Sequence, residues 1–165
     1  MTDIQPLTAE HRQAVQAFVE RIPGGDRSFL DRTLLTQVAV NTWTLAVPAR
    51  RSVVVDGGDV VALVTVVPGS GWVGHVGDLR VIVQPDRRGQ GLGRALISEG
   101  LALATSLGLE KLTVEVMSTN AAAEAMFAGF GFTREAVLHD HVEDGDGQYQ
   151  DLVLLSLWLK GHDTH

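Results

Sequence analysis

The chain contains no cysteine. Disulfides, thiolate metal ligands and a cysteine nucleophile are therefore excluded. It has a single tyrosine, Tyr149, so only one position can supply a phenol. The longest apolar run, Val60 to Val67, is short against the roughly 20 residues a membrane-spanning helix needs. The N-terminal MTDIQPLTAEH lacks the basic-then-apolar pattern of a secretory signal. Together these absences point to a cytoplasmic protein with no membrane partner. Basic charge is also scarce: residues 83–165 carry 6 basic and 12 acidic side chains, and the whole chain is at −7. Such a surface makes nucleic acid a poor partner and would attract a cationic amine; the alternative is ordinary solubilising charge.

A length of 165 residues, with 45% hydrophobic side chains and a mean hydropathy of +0.12, suits one globular domain. We read residues 1–160 as that domain and residues 161–165 as a frayed C-terminal tail.

The chain is organised around Asp78 to Leu107, DLRVIVQPDRRGQGLGRALISEGLALATSL. Leu79 to Val83 is β-branched and apolar and stops at Gln84-Pro85, as a strand does. A charged, glycine-bearing loop follows. From Gly91 an apolar stripe (Leu92, Ala95, Leu96, Leu103, Leu107) predicts a helix. A helix start has unpaired backbone N–H groups and the positive end of the helix dipole. Gly89, Gly91 and Gly93 let an anion approach that backbone, and Arg87, Arg88 and Arg94 add full charges. The loop is therefore a phosphate or pyrophosphate site. It is not a dinucleotide fingerprint, because Arg94 breaks the third glycine, and no Lys-Ser/Thr follows to make a P-loop. The bland alternative is a glycine-rich turn with solvated arginines.

Elsewhere, Asp3 to Leu7 predicts a short strand. Thr8 then caps a helix carrying Val15, Phe18, Val19 and Ile22, which Pro23-Gly24-Gly25 breaks. Asp26 caps a second helix through Phe29, Leu30, Leu34 and Leu35. Ser52–Val55 and Val60–Val67 form a hairpin around Asp56-Gly57-Gly58-Asp59. Trp72 to Val83 is the next strand, and its glycines 74 and 77 suggest a bulge. Such a bulge leaves backbone groups of Val81, Ile82 and Val83 free to bind an amide-rich ligand as an added strand would. Leu107-Gly108-Leu109 ends the long helix. Lys111 to Met117 alternates, with Leu112, Val114 and Val116 on one face and Thr113, Glu115 and Met117 on the other. Asn120 caps an alanine-rich helix, Ala121 to Ala128, and Gly129-Phe130-Gly131-Phe132 closes it. Thr133–His141 and Tyr149–Leu159 make a final hairpin across an acidic turn.

The spacing Arg88-x-x-Gly91-x-Gly93 after an Ile/Val strand resembles the acyl-CoA pyrophosphate loop of the GNAT N-acetyltransferases. Glu115 to Phe132, with its strand, Asn120, short helix and Gly131-Phe132, is similar to the same family's second signature. Two motifs in this order are more specific than either alone, and the resemblance covers roughly Val53 to Leu157. It implies an α/β (α+β) fold, a mixed and mostly antiparallel sheet of about seven strands flanked by helices. Splayed central strands would form the acyl-CoA cleft. It implies acetyl-CoA as acyl donor, no metal, and transfer of the acetyl group to a primary amine of a small molecule or peptide, with a homodimer as an option.

By the same resemblance, Val81, Ile82 and Val83 hold pantetheine. Arg88, Gly89, Gln90, Gly91, Leu92, Gly93 and Arg94 hold pyrophosphate, and Asn120 contacts CoA. Glu115 matches the base of the ribosomal-protein N-acetyltransferase branch. The alternatives are a surface glutamate for Glu115 and a plain N-cap for Asn120. Asp78 and Asp151 are reserve bases. Phe127 stands where the family commonly has a tyrosine acid, so another group such as Tyr149, or water, takes that part, or the thiolate leaves unassisted. Phe29 and Trp43 are candidate acceptor contacts, with core packing as the alternative. His139 and His141 would share a strand face but lack a third metal ligand. Two other classes stay open: a non-catalytic acyl-CoA-binding or sensor domain, and a phosphate-binding domain unrelated to CoA.

Overall fold

The structure, a computed structural model, describes residues 3–23 and 49–160. In chain order its elements are β1 (Asp3–Pro6), α1 (Arg12–Arg21), β2 (Arg50–Asp56), β3 (Asp59–Pro68), β4 (Val76–Val83), α2 (Leu92–Ser106), β5 (Lys111–Met117), α3 (Ala121–Ala128), β6 (Thr133–Glu143) and β7 (Tyr149–Trp158). The strands form a seven-stranded sheet in the order β1-β2-β3-β4-β5-β7-β6. The pairs β1–β2, β2–β3, β5–β7 and β6–β7 are antiparallel, and β4–β5 is parallel. The mixed, mostly antiparallel α/β fold read from the sequence is the fold observed. The expected helix from Asp26, with Phe29 and Trp43, lies outside the described residues. Two compact units make up the chain, Met1–Val67 with Arg80–Leu103, and Pro68–Leu79 with Ala104–His165.

In the first unit, β2 and β3 join through Gly57 and Gly58, whose φ angles are +60 and +87. Two left-handed residues make the turn whose twist matches a hairpin, and glycine takes them without strain. Both faces of this hairpin are covered. On one face Val53, Val60 and Leu63 pack with Val15, Phe18, Val19 and Ile22 of the α1 segment. On the other, the buried Ser52 hydroxyl donates to Glu99 of α2 at 2.8 Å. Strands buried on both sides read as continuous apolar runs rather than alternating ones, as Val60 to Val67 does. Thr8 starts the α1 segment, its N–H donating to His11 Nδ1 at 3.0 Å. The ring therefore carries its proton on Nε2, which donates to Gln5 Oε1 at 3.1 Å.

The buried line of α2 differs from the expected stripe. Leu92, Leu96, Ile97, Gly100 and Ala104 are inside, whereas Ala95 is exposed and Leu107 lies past the helix end. The inward ridge steps by four through small residues, which a hydrophobicity reading underweights.

In the second unit, the expected strand from Trp72 starts late. Gly71–Val73 is a 3-10 turn and β4 begins at Val76. The reason is a tight reversal in which Gly69 N–H donates to Val76 O at 2.8 Å. A Cβ on Gly69 would meet the Val73 carbonyl at 2.3 Å. Trp72 is left fully exposed. Gly77 sits in register opposite Leu112, so the bulge expected from Gly77 is absent from the ladder with β5. The C-terminus of α2 closes on Gly108 (φ +73), with Gly108 N–H to Thr105 O and Leu109 N–H to Ala104 O. These are the paired bonds of a Schellman cap. In β5, Leu112, Val114 and Val116 are buried and Glu115 is exposed, as the alternation predicted. The Leu112 face belongs to α3. Arg134, opposite Leu155 on that face, grips Glu124 of α3 with two bonds.

Leu96 is fully buried. Leu96→Ala should lose about 2–5 kcal/mol of stability, read from the urea unfolding midpoint at unchanged slope.

Candidate active site

The glycine loop is built from β4 outward. The chain leaves β4 at Gln84, whose N–H donates to Val61 O at 2.9 Å. Val61 is the extra residue where the β2–β3 register shifts, Val54 facing Ala62 and Val55 facing Val60. A bulge leaves such a residue without a ladder partner, and Gln84 uses its carbonyl. The Gln84 side chain accepts from Arg21 Nε at 3.1 Å and donates to Asp86 at 2.6 Å. Arg21 also donates to Val60 O at 2.9 Å. Pro85–Arg87 then makes a 3-10 turn, and Gly89 and Gly91 follow at φ +77 and +83. A Cβ at either glycine would meet nothing within 4 Å. Their open side faces no protein atom, and left-handed φ is what requires glycine there. The Gly91 carbonyl accepts Ala95 N–H at 3.2 Å, the first bond of α2.

The arginines of this loop do different things. Arg87 pairs with Asp56 at the hairpin tip at 2.5 Å, which lowers the Asp56 pKa through their hydrogen bond and then their charges. Arg88 is exposed and its Nε donates to Val83 O at 3.3 Å. Arg94 is exposed on the first turn of α2. The sequence counts all three as charges around the loop and places only Arg88 and Arg94 on the pyrophosphate. The Asp56–Arg87 pair is separated in the chain by both β3 and β4 and has no local signal. The anchoring roles of Arg21 and Gln84 were missed for the same reason.

β4 pairs with β5 only from Val76–Asp78 to Lys111–Thr113. The Ile82 side chain is buried with the α1 core, while Val81 and Val83 are half-buried. In the second unit, Glu115 is exposed on β5 opposite Leu154. Asn120 Oδ1 accepts Ala123 N–H at 3.1 Å, a true N-cap. That bond uses only the oxygen, and the amide NH2 remains a donor. Phe127 is buried, its ring edge-on to Phe132 with centroids 5.4 Å apart.

Two reserve roles fall away on geometry. Tyr149 is exposed opposite Glu143. It lies five residues along β7 from Leu154, about 17 Å at strand spacing, too far to serve chemistry at Glu115. Asp151 is occupied. His139, Asp140 and His141 fall between the pairs Leu138–Leu152 and Val142–Gln150, so three residues bulge opposite one. Asp140 takes φ +50. Asp151 accepts Asp140 N–H at 2.9 Å and contacts His139 Nδ1 at 3.2 Å. These bonds, the backbone one first, hold its carboxyl below the usual range and weaken it as a base. The bulge also breaks the alternation that would have set both histidines on one strand face. Among the described residues no group of three or more His, Cys, Asp and Glu could hold a metal ion, and no helix is long and apolar enough to cross a membrane.

Residues 16–132, more than two thirds of the chain, match the Acetyltransferase (GNAT) family. The chain belongs to that family. Among curated GNAT relatives it is 43% identical to a mycothiol acetyltransferase of Thermobispora bispora over 65 residues, 39% of this chain and 22% of that protein. It is 32% identical to an Escherichia coli [ribosomal protein bS18]-alanine N-acetyltransferase over 77 residues, 47% of this chain and 51% of that one. The match thus spans about half or less of either relative. A Salmonella typhimurium protein described as an acetyltransferase, solved with its cofactor acetyl-CoA, shares the fold. Its TM-score is 0.79 at 20% identity, covering 100% of this chain and 98% of that one.

The depressed Asp56 carboxyl contributes stability above its unfolded pKa of about 3.9, and that contribution is lost as pH falls through the lower folded value. Asp56→Asn should therefore be less stable than the parent at pH 7. The difference should shrink below about pH 4, measured as paired urea midpoints at both pH values.

Proposed function

We propose that this chain transfers an acetyl group from acetyl-CoA to a primary amine by direct attack in a ternary complex. The observation that carries the reading is the loop Gln84 to Arg94: two left-handed glycines with open space beside them, a helix start, and Arg88 and Arg94 exposed. Those features suit a pyrophosphate. Backbone N–H groups of Gly89, Gln90, Gly91, Leu92 and Gly93 would face it, with Arg88 and Arg94 adding charge. Leu92 is buried through its side chain, so only its backbone takes part. Pantetheine amides would pair with β4 past Asp78, where the ladder with β5 has ended. Backbone N–H and C=O groups of Val81 and Val83 would supply the polar groups there, with Ile82 between them. Arg88 holds the Val83 carbonyl, and swinging toward a pyrophosphate would release it. The Asn120 amide NH2 donates to the CoA arm.

Glu115 takes the proton of the attacking amine, directly or through water. Phe127 can give no proton to the leaving thiolate. A thiol ionises near pH 8.5, about two units below an alkylammonium, so an unassisted or water-assisted departure is chemically adequate. Binding without transfer is the second reading, and the buried Phe127 is what favours it.

Arg88→Glu should weaken CoA binding by tenfold or more in calorimetry without lowering the unfolding midpoint. Unchanged affinity would remove the loop from the site. Glu115→Gln should lower kcat by about 10²–10⁴ at unchanged KM for acetyl-CoA in a thiol-release assay. CoA binding with no turnover on a broad amine panel would favour the non-catalytic reading.

A further inference from the structure

The β5–β7–β6 ladder sorts its side chains into two faces. One carries Leu112, Val114, Val116, Val153 and Leu155 and belongs to α3. The other carries Glu115, and its rows follow from the register, since cross-strand partners share a face. Lys111 stands beside Trp158, and Thr113 beside Ser156 and Thr133. Glu115 stands beside Leu154 and Ala136, and Met117 beside Leu152 and Leu138. Asp78 of β4, opposite Thr113, joins the same face. One end of the face is closed by an ion pair, Lys111 to Glu135 at 2.7 Å, with the ammonium 5.4 Å above the Trp158 ring.

Past that pair the face divides. Its β4–β5 side carries the carboxylates Asp78 and Glu115, with Arg80 two residues beyond Asp78 on β4. Its β7–β6 side is apolar, with the half-buried Leu154 and Ala136, the buried Leu152 and the exposed Leu138. Leu138 is 38% exposed although it is a large aliphatic residue. The stripe from Glu115 to Leu138 spans two strand spacings, about 10 Å. No charged side chain stands in register along it. Beyond Leu138, Asp140 lies in the His139–His141 bulge, where the Asp151 carboxylate is already engaged, and Glu143, Asp144 and Asp146 lie at the turn between β6 and β7.

We propose that the acceptor is a primary amine carried one or two carbons from an aryl or branched-alkyl group. Its nitrogen lies at Glu115, and its apolar part lies across Leu154 and Leu138. The assignment rests on Glu115 being the base, as proposed above. Charge complementarity sets the orientation: the cationic end belongs to the carboxylate side, and only an apolar group gains from covering leucines. A polyamine would find no carboxylate along the stripe for its second ammonium. A peptide with an apolar first residue and a free arylalkylamine present the same chemistry, and the test separates them.

The test compares kcat/KM at saturating acetyl-CoA for phenethylamine, Phe-Gly-Gly, glycinamide, Gly-Gly-Gly and spermidine. The parent protein, Leu138→Asp and Leu154→Thr are used, with calorimetric binding of phenethylammonium alongside. Phenethylamine or Phe-Gly-Gly should exceed glycinamide or Gly-Gly-Gly by about tenfold or more, and whichever leads names the source. The ratio should fall toward one in Leu138→Asp and shift the same way in Leu154→Thr. Glycinamide or spermidine matching the aryl amines, or a ratio that neither variant moves, would overturn the proposal. If no amine is turned over, acetyl transfer itself falls, and the calorimetry decides the patch separately. Phenethylammonium binding that Leu138→Asp abolishes would uphold it, and no binding to the parent protein would reject it.

Discussion

A single irregularity in the β2–β3 hairpin determines where the glycine loop can stand. Val61 is one residue too many for its partner strand, and its carbonyl is turned to Gln84 instead. Gln84 ties that point to Arg21 of α1 and to Asp86 of the loop. The loop carries two left-handed glycines and would otherwise be among the most pliable parts of the chain. Fixing its first residue to a buried strand and a helix end sets the direction in which α2 presents its unpaired N–H groups. Arg87, held by Asp56 at the hairpin tip, fixes a second point. The positive end of α2 is thus oriented by contacts from α1, β2 and β3 within one compact unit.

The ionised carboxylates divide by task. Asp56, Glu124, Glu135, Asp144 and Asp151 all have lowered pKa values, each because it accepts hydrogen bonds that hold the fold. Asp144, for instance, accepts the N–H groups of Asp146 and Gln148 and organises the turn between β6 and β7. A perturbed carboxyl is often taken as a pointer to chemistry. Here perturbation marks structure, and the proposed role of Glu115 rests on its place on β5.

Features that rest on local spacing could be read from the sequence. The glycine turn at 57–58, the alternation of β5, the Asn120 cap and the strand–loop–helix around Gly91 each depend on neighbours within a few residues. Features that rest on distant partners could not. Nothing near Arg87 says that Asp56 will take it, and nothing near Gln84 announces a bulge at Val61. Trp72 reads as the start of the strand that runs to Val83, yet the Gly69 reversal keeps it out. The histidine pair failed for a subtler reason. Alternation was assumed across His139–His141, and a carboxylate one strand away, Asp151, supports a left-handed Asp140 that breaks it.

That same bulge has a bearing on solubility. β6 is the edge of the sheet and runs for eleven residues, Thr133 to Glu143. An edge of that length, if regular, offers an open row of N–H and C=O groups to any other extended chain. The register slips once between Arg134 and Ala136 and again between Leu138 and Val142. No long stretch of the edge therefore keeps the even spacing that a docking strand requires. Leu138 stands on an edge that resists strand addition, which lets the protein show an apolar face without recruiting copies of itself into a growing sheet.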